Sequence, residues 1–209
     1  MKKELFLPVA LMVVFALSRI PGCLPQNFSA AYALMFCAGV YFPARLAWWL
    51  PLAVMLGTDI GLNLYYQTEK GIPTLDAGVM KYLALNYAGY AMLIWLGRRF
   101  KSSDRLLSLL AGGMVGAILF YFLTNTASWL FNPFHNPEYT RSWAGWLTAL
   151  TRGTAGYPPT WEFFRNTMLS GGLFTGLLTG AVKFSSRATE SEEAEPKPEA
   201  VEEEGELAT

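Results

Sequence analysis

The chain has 209 residues, 53% of them apolar and 15% charged, with 16 Lys and Arg against 16 Asp and Glu. Soluble domains carry about 25% charged residues, so the composition argues against a water-soluble globule. The zero net charge divides unevenly, because residues 190–209 hold nine Glu and one Lys, net −8, which leaves net +8 on residues 1–189. Those basic residues are dispersed between apolar runs rather than gathered into a stripe, which argues against nucleic acid as a partner.

Six apolar segments follow one another at roughly 5–20, 28–42, 46–66, 77–97, 106–131 and 162–183. About 20 helical residues cross the ~30 Å hydrocarbon core of a bilayer. The third to sixth segments reach that length; the first two are shorter, with Pro21, Pro25 and Pro43 at their ends. Continuous apolar runs without strict alternation fit helices rather than a barrel. The expected fold class is therefore an all-α membrane protein: six transmembrane helices within residues 1–189, then an acidic, disordered tail over 190–209.

The first segment also has the basic start and apolar core of a signal peptide, with Cys23 near the position of lipoprotein cleavage. Arg19 and Pro21 interrupt the small-residue pattern that cleavage requires, so a span is the expectation. With six spans and an inner N-terminus, the inner loops hold Lys2, Lys3, Arg45, Arg98, Arg99, Lys101, Arg105, Lys183 and Arg187, and the outer loops hold Arg19, Lys70, Arg141 and Arg152. This bias places both termini in the cytoplasm of a cell bounded by an inner membrane. The lipid bilayer is the first expected partner.

Polar residues inside the spans fall at one depth. Asp59 and Asn63 are four apart in the third segment, as are Tyr82, Asn86 and Tyr90 in the fourth. The fifth ends outward with Thr124, Asn125, Ser128 and Trp129, the sixth begins there with Glu162, Arg165 and Asn166, and Asn27 opens the second on the same side. A charge facing lipid near the bilayer centre costs about 2.5–3.5 kcal/mol. Asp59 and Arg165 should therefore face the interior, either paired with each other or holding a ligand, in a cavity expected between the third, fifth and sixth segments. Asn27, Asn125 and Trp129 can equally be interfacial anchors. In the inner halves, Gly112, Gly113 and Gly116, and the run Gly172, Gly176, Gly180, let helices approach closely, either within the bundle or against another membrane subunit.

The outer loop before the sixth segment is too long for a plain connector. Trp143, Trp146, Leu147 and Leu150 have the spacing of a short interfacial helix, which Gly153, Gly156 and Pro158-Pro159 break. With Tyr157 and Trp161 this segment would cover an outward pocket, or serve only as an aromatic belt. No P-loop occurs, and His135, Cys23 and Cys37 assemble neither a metal set nor a nucleophile. No metal, cofactor or enzymatic activity is expected.

Arg19, Asn27-Phe28-Ser29, Ala33-Leu34-Met35-Phe36 with Gly39, Pro51 with Asp59, Thr124-Asn125 with Trp129, Tyr157-Pro158-Pro159-Thr160-Trp161 and Phe163-Phe164-Arg165-Asn166-Thr167 form a recognisable series. Over about residues 19–180 it resembles an uncharacterised bacterial family of small membrane proteins. That family is similar in architecture to the substrate-binding S-components of energy-coupling-factor transporters. The resemblance implies an outward pocket capped by loops, and a small-residue face that docks on a transmembrane coupling subunit served by separate ATPases. Here Ser170-Gly171-Gly172 stands where relatives often carry an acidic residue.

The reading is a solute-binding membrane subunit for an unidentified small molecule. Asp59, Asn63, Asn86, Asn125, Trp129, Tyr157, Trp161, Arg165 and Asn166 would bind the solute, and Gly172, Gly176 and Gly180 would meet the partner. The alternatives are a membrane scaffold whose polar residues only lock helices together, and an enzyme using Asp59 or Glu162 on lipid-linked substrates.

Overall fold

A computed structural model describes residues 3–22, 24–25, 28–71, 74 and 76–194. They form seven helices: α1 (Lys3–Ser18), α2 (Ala31–Tyr41), α3 (Ala44–Lys70), α4 (Ala77–Gly97), α5 (Leu106–Phe131), α6 (Trp143–Thr151) and α7 (Thr160–Ala194), with no strand among the described residues. Asn27, Cys23 and residues 195–209 lie outside the described set.

Local sequence sets the helix ends. The Asp76 carboxylate accepts the Val79 N–H at 2.9 Å, and the Ser142 hydroxyl accepts the Gly145 N–H at 3.1 Å, so α4 and α6 start on side-chain caps. Gly71 ends α3 in the left-handed region, φ 63°, which costs a residue without Cβ nothing. The fourth and fifth apolar segments coincide with α4 and α5. The sixth does not end at 183: α7 continues to Ala194, beyond the start of the stretch read from composition as tail. Ala, Glu, Lys and Arg are good helix formers, so loss of apolarity near residue 184 ends a hydrophobic face without ending the helix.

The core is built around α2, from Ala31 through Gly39 buried without interruption. Helices α1, α3, α4, α5 and α7 all pack on it. The α2–α4 crossing needs two glycines: a Cβ on Gly97 would lie 2.1 Å from the Phe36 carbonyl oxygen, and one on Gly39 would lie 2.3 Å from that of Ile94. On α5, a Cβ on Gly113 would meet the Thr175 hydroxyl of α7 at 2.3 Å, so close α5–α7 approach rests on this position. The Gly172, Gly176 and Gly180 run is looser. Added Cβ atoms would meet Met114 and Leu110 at 3.8 Å from the first two, and nothing within 4 Å from Gly180.

Among the described residues one helix, α5, is both long and apolar enough to cross a membrane. At ~1.5 Å per residue, α1 and α2 fall short of a ~30 Å core. The short helix expected in the last long loop is α6. Its Gly145 and Ala149 are buried, whereas Trp143 and Leu147 of the apolar stripe are exposed.

Candidate functional site

Asp59 sits on the buried face of α3, and its carboxylate is fully engaged. One oxygen takes the Arg19 guanidinium in an ion pair; the other accepts the Tyr87 hydroxyl of α4 at 2.9 Å. Arg19 also touches the Met55 sulfur and lies 5.7 Å from the Phe15 ring centroid. Asn63 donates its amide to the Asp59 backbone oxygen at 2.9 Å. A buried carboxylate needs a counter-charge and further hydrogen bonds to offset its desolvation, and this cluster supplies both.

The pairing of Asp59 with Arg165 is thus replaced by pairing with Arg19. The cause is topological. Arg19 directly follows α1, which packs on α3, so its side chain reaches the acid. Arg165 lies exposed on α7, its guanidinium 5.6 Å from the Trp161 ring centroid and its Nε 3.4 Å from the Asn166 Oδ1.

A cavity of about 830 Å³ opens at the end of the bundle that carries residues 132–159. It lies between α2, α4, α5 and α7, not between the third, fifth and sixth apolar segments. From α4 come Tyr82, Asn86 and Tyr90, one helical face at i, i+4, i+8. From α5 come Phe120, Tyr121, Thr124, Asn125 and Ser128, and α7 adds Thr160, Phe163 and Thr167. Tyr32 closes the floor from α2, where its hydroxyl meets Thr167. Phe120 lies against two phenol rings, stacked with Tyr90 at 5.1 Å and 21°, and tilted against Tyr32 at 5.0 Å.

The mouth is formed by two loop stretches and braced by α6. Asn136, Tyr139, Gly153, Thr154, Tyr157 and Pro158 line it. The Tyr121 hydroxyl reaches the carbonyl oxygens of Leu150 and Thr160, tying α5 to the α6 end and the α7 start. Trp146 Nε1 donates to the Thr126 hydroxyl at 3.1 Å, and Trp129 Nε1 to the Thr140 carbonyl at 2.7 Å. Gly153, at φ 76°, lets the chain turn against Thr160, where an added Cβ would lie 2.5 Å from the hydroxyl. The Glu138 carboxylate accepts the Ala155 N–H at 3.0 Å and so clips the two loop stretches together; that hydrogen bond holds its carboxyl below the ordinary value. Burial pushes the Tyr139 phenol upward.

Of the residues expected to bind a solute, Asn86, Asn125 and Tyr157 line the cavity. Asp59 and Asn63 serve the ion-pair cluster. Trp129 braces the loop, while Trp161 and Arg165 stack on each other outside the lining. Asn166 is half-buried, one residue before the lining residue Thr167. The lining residues missed from sequence are chiefly Tyr32, Tyr121, Thr160, Thr167, Asn136 and Tyr139. Tyr121 carried a usable signal, standing four before Asn125, whose amide it accepts at 2.8 Å through its backbone oxygen. Tyr32 carried none, inside an otherwise apolar run.

No curated protein and no solved structure matches the chain. A family model matches residues 1–194, a span that holds the seven described helices and the cavity lining. By that match the chain belongs to DUF6580, a family of unknown function.

Proposed function

We propose that the protein is a multi-pass membrane subunit that binds a small solute at its outer end, similar to the S-components of energy-coupling-factor transporters. The observation that carries this reading is a cavity of about 830 Å³, lined by amides, hydroxyls and aromatic rings, at one end of the bundle. Binding sites of about 300–1,000 Å³ with a few convergent polar groups are the usual form for small ligands. The helix surfaces support membrane insertion: Val13 and Leu17 on α1, Leu56 and Ile60 on α3, Ile118 and Leu119 on α5, and Leu173 and Leu177 on α7 are all exposed. The basic residues at the end opposite the cavity, Arg98, Arg99, Lys101 and Lys183, favour a cytoplasmic position for that end and for both termini. The solute would enter from outside, and uptake would be driven by ATPases on other chains through a coupling subunit. That subunit would dock on the α7 face that carries Gly172, Gly176 and Gly180.

The scaffold reading draws its support from Asp59 and Arg19, which pair with each other outside the cavity lining. The lipid-modifying reading wants a reactive acid facing the cavity, and among the described residues the lining contains neither Asp nor Glu. Extraction of the tagged full-length chain from native membranes, followed by native mass spectrometry, separates the first two. A retained small molecule together with ATPase chains is expected. Repeated isolation of folded protein without either would turn the assignment to a scaffold.

A further inference from the structure

We infer that the cavity selects an uncharged solute built on a planar ring that carries several hydrogen-bonding groups. This inference rests on the solute-binding reading above and narrows it to a ligand class. Three features of the lining lead to it.

The first is charge. Among the described residues the lining is made of Tyr, Asn, Thr, Ser, Phe, Pro and Gly, with no Asp, Glu, Lys, Arg or His. An ion moved from water into such a cavity loses hydration and gains no counter-charge. Arg19 and Asp59 pair with each other outside the lining, Arg165 sits with Trp161 outside it, and Glu138, next to the lining residue Tyr139, holds the Ala155 amide with one carboxylate oxygen.

The second is shape. Tyr32, Tyr90 and Phe120 make a continuous aromatic floor, with centroid separations of 5.0 and 5.1 Å, and Tyr82 lies 5.6 Å from Phe134 nearer the mouth. Ring faces and edges at these spacings favour flat partners in offset or edge-to-face contact.

The third is uncommitted hydrogen-bonding capacity. The Asn86 amide and the hydroxyls of Tyr82 and Tyr90 have no hydrogen-bond partner among the described residues, although they share one face of α4 that rises from the floor. Asn125 spends its Nδ2 on the Tyr121 backbone and keeps its Oδ1 as an acceptor. Polar groups in a cavity call for partners, and an amide beside phenols offers donors and acceptors together. A purely apolar ligand would leave all of them unmatched.

The test uses the full-length protein in nanodiscs and matched pairs of probes, read by thermal shift and calorimetry. Neutral probes are free nucleobases and nucleosides; charged partners are the corresponding nucleoside monophosphates; glucose serves as a neutral probe without an aromatic ring. At least one neutral planar probe is expected to bind with Kd below about 1 mM, tenfold or more tighter than its monophosphate and than glucose. Asn86→Leu should weaken that probe about tenfold. Asn86→Asp should weaken it as well while admitting an amine-bearing analogue that the native protein rejects. Equal or tighter binding of the monophosphate overturns the inference, as do equal binding of glucose and the absence of binding by every neutral planar probe. If ATPase chains still co-isolate under any of those results, the ligand class fails while the solute-binding reading stands. Absence of both probe binding and ATPase chains removes the two together.

Discussion

Neutralising Arg19 and Asp59, singly and together, measures how much of the bundle depends on one ion pair. The two side chains are only 17% and 10% exposed, and Tyr87 completes the acid's hydrogen bonding. Removing one member leaves the other charge buried and unpaired, a loss of about 3–5 kcal/mol for enclosed pairs. Arg19 keeps some access to solvent, so the lower end applies, about 3 kcal/mol for Arg19→Gln or Asp59→Asn. The joint change leaves no charge to desolvate, while the introduced amide oxygen would still accept from Tyr87, so it should cost about 1 kcal/mol. The double-mutant cycle should then give a coupling of about 5 kcal/mol. Arg165→Gln, on an exposed face, should stay within about 0.5 kcal/mol of the parent. Reversible unfolding in mixed detergent and SDS micelles, followed by tryptophan fluorescence, reads all four variants. Additive single costs, or an Arg165 effect equal to that of Arg19, would refute the assignment of the pair.

The glycines divide into two sets with opposite expectations. Gly97→Ala places a Cβ 2.1 Å from a backbone oxygen and should cost several kcal/mol or prevent folding, read in the same unfolding experiment. Gly180→Ala meets nothing within 4 Å and should gain up to about 1 kcal/mol from helix propensity. Gly180→Leu should leave the isolated protein folded yet abolish co-isolation of ATPase chains if the α7 face docks a partner. The Glu138 clip should depend on pH. Its carboxyl is depressed in the folded state, so its stabilisation is complete above the ordinary value of 4.5 and is lost as the pH falls through the lower folded value. A fluorophore attached at Tyr157→Cys should report loosening of the mouth in that acidic window, and Glu138→Gln should remove the transition. Trp146→Phe deletes the bond to Thr126 and should destabilise the mouth by about 1 kcal/mol, seen as faster proteolysis in residues 133–159.

The spans of α4 and α5 were legible because long apolar runs there are separated by the basic loop of Arg98 to Arg105. The far end of α7 was not, because hydropathy marks what is buried in lipid and is silent about a polar helix. The polar rows at i, i+4 on α4 and α5 lie on the cavity wall, since spacing on one helix fixes a shared face. Spacing says nothing about which helices face each other. Asp59 and Arg165 looked like partners because each was an isolated charge at a similar depth. The nearer cation, Arg19, stood at a segment end and read as a loop residue.

The brevity of α2 has a geometric consequence for the bundle around it. At 11 residues it falls about nine short of a membrane-crossing helix, which is some 13 Å of a cylinder about 10 Å wide. That missing stub would displace about 1,000 Å³, the same order as the cavity volume of about 830 Å³. Tyr32, in the first turn of α2, is the point where the central column stops and the hollow begins. The surrounding helices thus enclose a shaft whose lower half is plugged by protein, and the depth of any bound molecule is set by where that plug ends.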